Sequence, residues 1–415
     1  MDPRARATTR APVAGMSDNS PAGSLHGRPM LNTGSPNAVP IRLALALTLF
    51  NFIGANAMRV LVTLYVLELG AAPWVVGVVG GLLYLFPLLL SWPIGAMADR
   101  RAAFGMLAFA ALCAIVSLLM IYLYPVLPMF FAAAALNGLA LAFYHVTLQN
   151  LIGTLSSADD RAANFANFSL AGAATSFIGP LIAGVSIDTV GYSWACLIIA
   201  ATSVIVLVLL GIWGKTLPRA QPKAQREAAP RLVFDRTLVV MLVVSGLVQL
   251  GSDLFQFFIP VFGHQIGLSA SAIGVVLALH SAASFIVRFF LPRMMKQVSA
   301  NTLLVWVFAT GAAGFVLSTF ASGVVTLGIT AFLFGLGMGI GIPLTVILMY
   351  EASSKGRSGQ ALGVRLTANN LVRMGGPMVF GAMGAVVGVS GVFWILGGVM
   401  AIGWLLAWSQ RTPST

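Results

Sequence analysis

Residues 249–256 read Gln249-Leu-Gly-Ser-Asp253-Leu-Phe-Gln256, inside an apolar run from 237 to 262. Asp253 is the only carboxylate well inside any apolar run of the chain. A charge at that depth in a bilayer costs at least ~2.5–3.5 kcal/mol on insertion scales, so it belongs against a partner or a wet cavity. Gln249, Asp253 and Gln256 are spaced four and three apart, which sets all three on one helical face. That face predicts one wall of a water-filled path through a membrane.

The flanking chain has the composition such a path needs. Of 415 residues, 59% are hydrophobic and only 8% are charged. A soluble domain carries ~25% charged residues, so this chain has too little polar surface to cover a globule. Twelve runs are long enough for the ~20 residues that cross a hydrocarbon core. They lie at 43–67, 74–97, 103–124, 127–152, 165–187, 193–213, 237–262, 271–291, 302–321, 324–350, 361–387 and 392–408, and are called spans 1 to 12. The expected fold is an all-α membrane protein of twelve transmembrane helices. Barrel strands are excluded, because the runs are too long and do not alternate.

Lysine and arginine orient the spans. With the N-terminus in the cytoplasm, 19 of the 23 basic residues fall on the inner side, four lie within spans, and the outer loops hold none. This is the positive-inside pattern. The net charge of +12 is therefore a topology signal and not a nucleic-acid footprint. The expected location is the inner cell membrane, multi-pass, with both termini cytoplasmic. Residues 1–41, rich in Pro, Ser, Gly and Arg, read as a disordered cytoplasmic N-terminus without a signal peptide. The polar segment 215–236 reads as a cytoplasmic linker between a first bundle, 42–214, and a second, 237–411. Cys113 and Cys196 sit in apolar runs and read as small buried hydrophobes.

The halves repeat at an offset of 197 residues without gaps. Gly54 meets Gly251, Gly77-Val-Val meets Gly274-Val-Val, Gly138 meets Gly335, and Gly179-Pro180 meets Gly376-Pro377. Two parallel six-helix repeats, pseudo-symmetric about the membrane normal, are a secondary-transporter pattern.

With these features the chain resembles the major facilitator superfamily from about Arg42 to Arg411. Gly95-Ala-Met-Ala-Asp99-Arg100-Arg101, between spans 2 and 3, looks like the family's Gly-x-x-x-Asp-Arg loop, although Ala102 and Ala103 replace its further Gly and basic residues. Gly172 and Gly179-Pro180 resemble the Gly-Pro motif of its exporter branches. Ala134 stands where proton-coupled drug exporters carry an arginine in span 4. The resemblance implies that Asp99 latches the cytoplasmic side, with Gly95 admitting a close helix and with Arg100, Arg101 or the start of span 11 as partners. It also implies that spans 1, 4, 7 and 10 line a central cavity.

The candidate cavity residues follow from that frame and from the repeat. Asn56 and Arg59 of span 1 correspond to Asp253 and Gln256 of span 7. Span 4 offers Asn137, His145 and Gln149; span 8 offers His280; span 11 offers Asn369 and Arg373, with Arg365 on the same face. Arg59 and Arg373 lie near the depth of Asp253, and either is a possible partner. Arg288, near the end of span 8, reads as a snorkelling side chain. The glycines from Gly335 to Gly341 in span 10 read as a packing or bending element before a kink at Pro343.

The expected function is transport of a small molecule by alternating access, coupled to protons or another ion. The excess of intramembrane arginine suggests an organic anion, and the exporter-like motif suggests export. Amphiphilic drug efflux and a non-transporting sensor are the alternatives. The spans hold no His-Glu-x-x-His, no Gly-x-Ser-x-Gly and no carboxylate cluster, so no enzyme activity and no cofactor or metal is expected. The expected partners are the cargo, the coupling ion and the lipid bilayer, around a monomer.

Overall fold

The computed structural model describes residues 38–98, 100–157, 160–218, 236–352 and 358–409. These are helical throughout, with no strand among them. Ten of the helices are long and apolar enough to cross a membrane. Two of the ten, Ala163–Thr216 and Ala361–Ser409, run to 54 and 49 residues, far more than one crossing needs at 1.5 Å per residue. Each is broken by a glycine outside helical geometry, Gly191 (φ 80°, ψ 169°) and Gly388 (φ 72°, ψ 167°). Positive φ at these corners requires glycine. The breaks fall between spans 5 and 6 and between spans 11 and 12.

Two crossings bend for a different reason. Span 2 is made of Pro73–Leu82 and Leu85–Ala98, with a turn at Leu83 and Tyr84. Span 10 is made of Val324–Met338 and Gly341–Ala352, with a turn at Gly339 and Ile340. A proline follows each turn. Pro87 offers no N–H to the Leu83 carbonyl, and Pro343 offers none to the Gly339 carbonyl, so the helical ladder opens there.

Much apolar surface faces outward, including Leu89, Val208, Phe289, Phe320 and Val386. Only lipid can cover so wide a belt. Trp74, Trp194, Trp213 and Trp408 are also exposed, as interfacial anchors would be. Cys113 and Cys196 are buried and unpaired.

The halves of the chain meet chiefly along two seams, span 5 against span 8 and span 2 against span 11. Glycine makes both possible. A methyl group on Gly274 would stand 2.6 Å from the Pro180 carbonyl oxygen, and Gly77 lies against the Pro377 carbonyl in the same way. Removing a side chain there brings backbone onto backbone. Both Gly-Pro steps of the sequence are therefore at the seams. Gly95 is different: among the described residues a methyl group there would find only Val146 Cγ1, at 3.9 Å. Arg100 and Arg101 are exposed. Asp99, residues 1–37, residues 219–235 of the linker, and Lys355, Arg357 and Arg411 lie outside the described residues.

Candidate functional site

A cavity of about 760 Å³ lies between the halves. Its walls include Asn56 and Arg59 of span 1, Tyr84 and Trp92 of span 2, Asn137, His145 and Gln149 of span 4, and Ser169 to Ser176 of span 5. The second half adds Asp253 and Gln256 of span 7, His280 to Arg288 of span 8, Met338 to Ile342 of span 10 and Gly363 to Arg373 of span 11. The wall is thus wider than spans 1, 4, 7 and 10; spans 2, 5, 8 and 11 contribute fully. Those named in spans 1 and 7 lie just past the middle, and in spans 2, 4, 5, 8, 10 and 11 most lie in the half nearer the basic loops. The cavity opens toward that end, and the two seams close the other.

Asp253 does have a cationic partner. Its Oδ2 lies 3.1 Å from Arg373 Nε and accepts from Gln249 Nε2 at 2.6 Å. Behind it the chain of contacts continues: Asn369 Nδ2 donates to Gln249 Oε1 at 3.3 Å, and Ser245 Oγ to Asn369 Oδ1 at 3.4 Å. Gln249 and Asn369 are buried and do not reach the cavity. They orient Asp253 from behind, so two of the predicted wall residues support it instead. Spacing on a shared face explains the error, because a helix face extends past the wall it helps to form.

Arg59 is held by neutral groups. Its Nη2 donates to Gln256 Oε1 at 2.7 Å and to Asn56 Oδ1 at 3.3 Å, and its Nη1 to the Tyr84 hydroxyl at 3.4 Å. Arg373 stands over the Tyr84 ring, 5.6 Å from its centroid. The turn in span 2 therefore places one tyrosine between the two arginines, its hydroxyl toward one and its ring face toward the other. The sequence reading missed Tyr84; Pro87, three residues on, was its one signal.

The two remaining arginines do something else. Arg288 Nε donates to the Gly339 carbonyl at 2.7 Å, the carbonyl that Pro343 leaves without a helical partner. Arg365 is buried, and its Nη2 donates to Thr345 Oγ1 at 3.0 Å and to the Ile342 carbonyl at 3.4 Å. Span 8 thus satisfies the opened backbone of span 10, and span 11 holds the helix just after the break. The snorkelling expectation for Arg288 gives way: the side chain turns inward and lines the cavity. Among the described residues, Arg59, Arg288 and Arg365 meet no carboxylate.

The histidines divide. His145 is exposed to the cavity, with Nδ1 3.5 Å from Gln149 Nε2 and its ring 5.0 Å from that of Phe52. His280 is buried at the cavity edge, packed on Phe255 and Phe334. Asn137 is buried and donates to Ser117 Oγ at 3.4 Å.

Comparison with known proteins agrees with this architecture. The model of the Major Facilitator Superfamily matches residues 44–328 and again 241–415. The multidrug resistance protein MdtG of Citrobacter koseri is 23% identical over 349 residues, 80% of this chain and 84% of its own length. The MFS-type transporter YuxJ of Bacillus subtilis is 21% identical over 352 residues, 81% of this chain and 88% of its own. Among solved structures, a point mutant of the nucleoside transporter NupG superposes with a TM-score of 0.74 at 13% identity, covering 90% of this chain and 100% of that one. A bacterial homolog of the human lysosomal transporter Spinster, in an inward-facing and unoccupied conformation, superposes with a TM-score of 0.71 at 12% identity, over 91% and 96% of the chains. Identities this low speak for the fold alone. With the family model matched along nearly all of its length, the chain belongs to the Major Facilitator Superfamily of transporters.

Proposed function

We propose that the protein carries an organic anion across the inner membrane by alternating access, with Asp253 as the proton site and Arg373 as the cargo's anchor. The single observation behind this reading is the Asp253–Arg373 pair, 3.1 Å apart on a cavity wall. An anionic cargo and the Asp253 carboxylate compete for one guanidinium. Protonating Asp253 frees Arg373 for the cargo, and losing the proton lets Asp253 reclaim it. Arg59, which meets only neutral acceptors, supplies a second positive wall at the same depth.

This competition has a sign. A proton that favours anion binding travels with the anion, so the cargo moves in the direction of the proton gradient. Cargo affinity then rises as pH falls. Asp253→Asn keeps the fold, holds Arg373 permanently free and removes the pH dependence. The check is flux into proteoliposomes under an imposed pH gradient; unchanged pH-driven flux in Asp253→Asn rejects the assignment.

A second reading is efflux of amphiphilic drugs. The MdtG relatives favour it, as does the apolar share of the cavity wall: Phe52, Leu88, Trp92, Phe168, Phe285 and Leu366. The export expectation drawn from the Gly-Pro motif attaches here. Cationic cargo would bind to ionised Asp253, so its affinity falls as pH falls. A thermal-shift screen of organic anions and lipophilic cations at two pH values separates the readings, because a ligand stabilises the state that binds it.

A further inference from the structure

At the end away from the basic loops, Asp188 of span 5 reaches across a seam to span 8. One carboxylate oxygen accepts the Ala270 N–H at 3.0 Å. The other accepts the Ser271 N–H at 2.8 Å and the Ser271 hydroxyl. Ala270 and Ser271 are the first residues of the helix Ala270–Gln297. The first N–H groups of a helix have no partner within it and carry the positive end of its dipole. Ser269, the cap, takes the Ala272 N–H at 3.3 Å. The first three donors of span 8 are therefore all satisfied, two of them by a side chain from the other half of the chain.

The backbones meet at the same place. Gly184 lies against the Ala270 carbonyl and Gly274 against that of Pro180. Any opening of this end must part spans 5 and 8, and so must break all three bonds to Asp188. The broken parts do not stay unsatisfied, since Asp188 is exposed and water can take over both sides of the contact. A contact that is specific when made and readily hydrated when broken suits a part of the cycle that must open many times.

The other seam has no equivalent. At the offset of 197 residues Ala385 stands where Asp188 does, and Pro73, which has no N–H, stands where Ala270 does. The asymmetry argues against a packing requirement common to both seams.

We propose that Asp188 is the latch of the outer end, a positioning residue that caps span 8 only while the cavity is open toward the basic loops. The proposal rests on the alternating-access reading, but not on the cargo or on proton coupling. The test is a pulsed electron paramagnetic resonance distance, in lipid nanodiscs without cargo, between spin labels at Val126→Cys and Val325→Cys. These exposed positions lie at the outer ends of spans 4 and 10, one in each half. Cys113 and Cys196 are replaced by alanine. Asp188→Asn removes the charge and one acceptor, and is expected to raise the ratio of the longer to the shorter distance on the order of tenfold. Ser271→Ala, which loses one bond of three, is expected to shift the same ratio about two- to threefold. An unchanged distribution in Asp188→Asn overturns the proposal. So does a lower melting point with no change in distance, which would make the contact merely structural. If Asp188→Asn does not accumulate in folded form, Ser271→Ala decides by the same criterion. Failure here leaves the Asp253 assignment standing, because that is read by pH-driven flux.

Discussion

In the first half, span 1 offers the cavity Asn56 and Arg59; 197 residues on, span 7 offers Asp253 and Gln256. The neighbouring glycines do not differ in this way. Gly138 packs on the Leu83 carbonyl, and its counterpart Gly335 on that of His280, again 197 residues on. Where backbone meets backbone, the geometry admits one residue, and both halves use it. Where side chains face water, the geometry leaves the choice open, and spans 1 and 7 have taken opposite charges. The scaffold is symmetric and the chemistry is not. The hardest test moves the acid across the pseudo-axis. Asn56→Asp combined with Asp253→Asn sets a carboxylate beside Arg59, whose Nη2 already lies 3.3 Å from Asn56 Oδ1, and leaves Arg373 unpaired. Because the proposed switch needs Asp253 and Arg373 together, pH-driven flux is expected to stay reduced on the order of tenfold or more, ~1.4 kcal/mol or greater in barrier terms. Recovery in proteoliposomes would mean that the acid works from either half.

The seams test whether matching glycines do matching work. Gly274→Ala and Gly77→Ala each drive a methyl group into a carbonyl of the opposite half. Overpacking of this kind costs ~1–3 kcal/mol, charged here against the state with the outer end closed. Both variants are expected to lengthen the outer distance between labels at positions 126 and 325, by similar amounts. If only one does, the seams are not equivalent hinges.

Spans 4 and 10 differ at one position that matters: Val146 stands where span 10 has Pro343. Span 4 runs unbroken as Leu127–Leu155, and span 10 does not. Pro343→Ala returns a donor to the Gly339 carbonyl and is expected to raise the melting temperature while slowing flux. Arg288→Leu removes the present donor and is expected to cost ~1–3 kcal/mol. In the Pro343→Ala background it should cost about 1 kcal/mol less, since the carbonyl then has a helical partner. Strict additivity of the melting shifts would show that Arg288 does not serve the break.

These contrasts also mark what could be read from residues alone. The spans, the repeat and the family were legible because the bilayer sets helix length and because glycine and proline stand in one register. Asp253 was legible as a lone acid, and Arg373 as one of two possible partners. Tyr84 was not. It owes its place to a turn before Pro87, yet Pro93, Pro180, Pro260, Pro292 and Pro377 all sit inside continuous helices. Proline permits a bend, and the tertiary contacts decide which one opens. Arg288 and Asp188 were misread or passed over for a common cause. Their partners are chiefly backbone groups, a freed carbonyl and a helix N-terminus; Pro343 marks the first in the sequence, but residue type does not say which side chain reaches either.

The seam without an acid allows the smallest and sharpest test. Ala385→Asp gives span 11 the carboxylate that span 5 has at Asp188, in an exposed position next to Gly384, which packs on Pro73 at the start of span 2. If a carboxylate near any helix N-terminus sufficed, the second seam would now be latched as firmly as the first. Span 2, however, begins with Pro73, and its Val75 and Val76 N–H groups both point to the Ala72 carbonyl, at 2.9 and 3.4 Å. Among the described residues only the Trp74 N–H is left of the first donors, and Trp74, without a hydroxyl, stands where Ser271 does. What remains is a dipole term of roughly 0.3–1 kcal/mol, reduced further by salt. Ala385→Asp is therefore expected to shift the outer distance ratio less than about threefold, and hardly at all at high salt. A shift as large as the opposite one in Asp188→Asn would show that charge alone holds the outer end, and that the directed bonds to Ala270 and Ser271 add little.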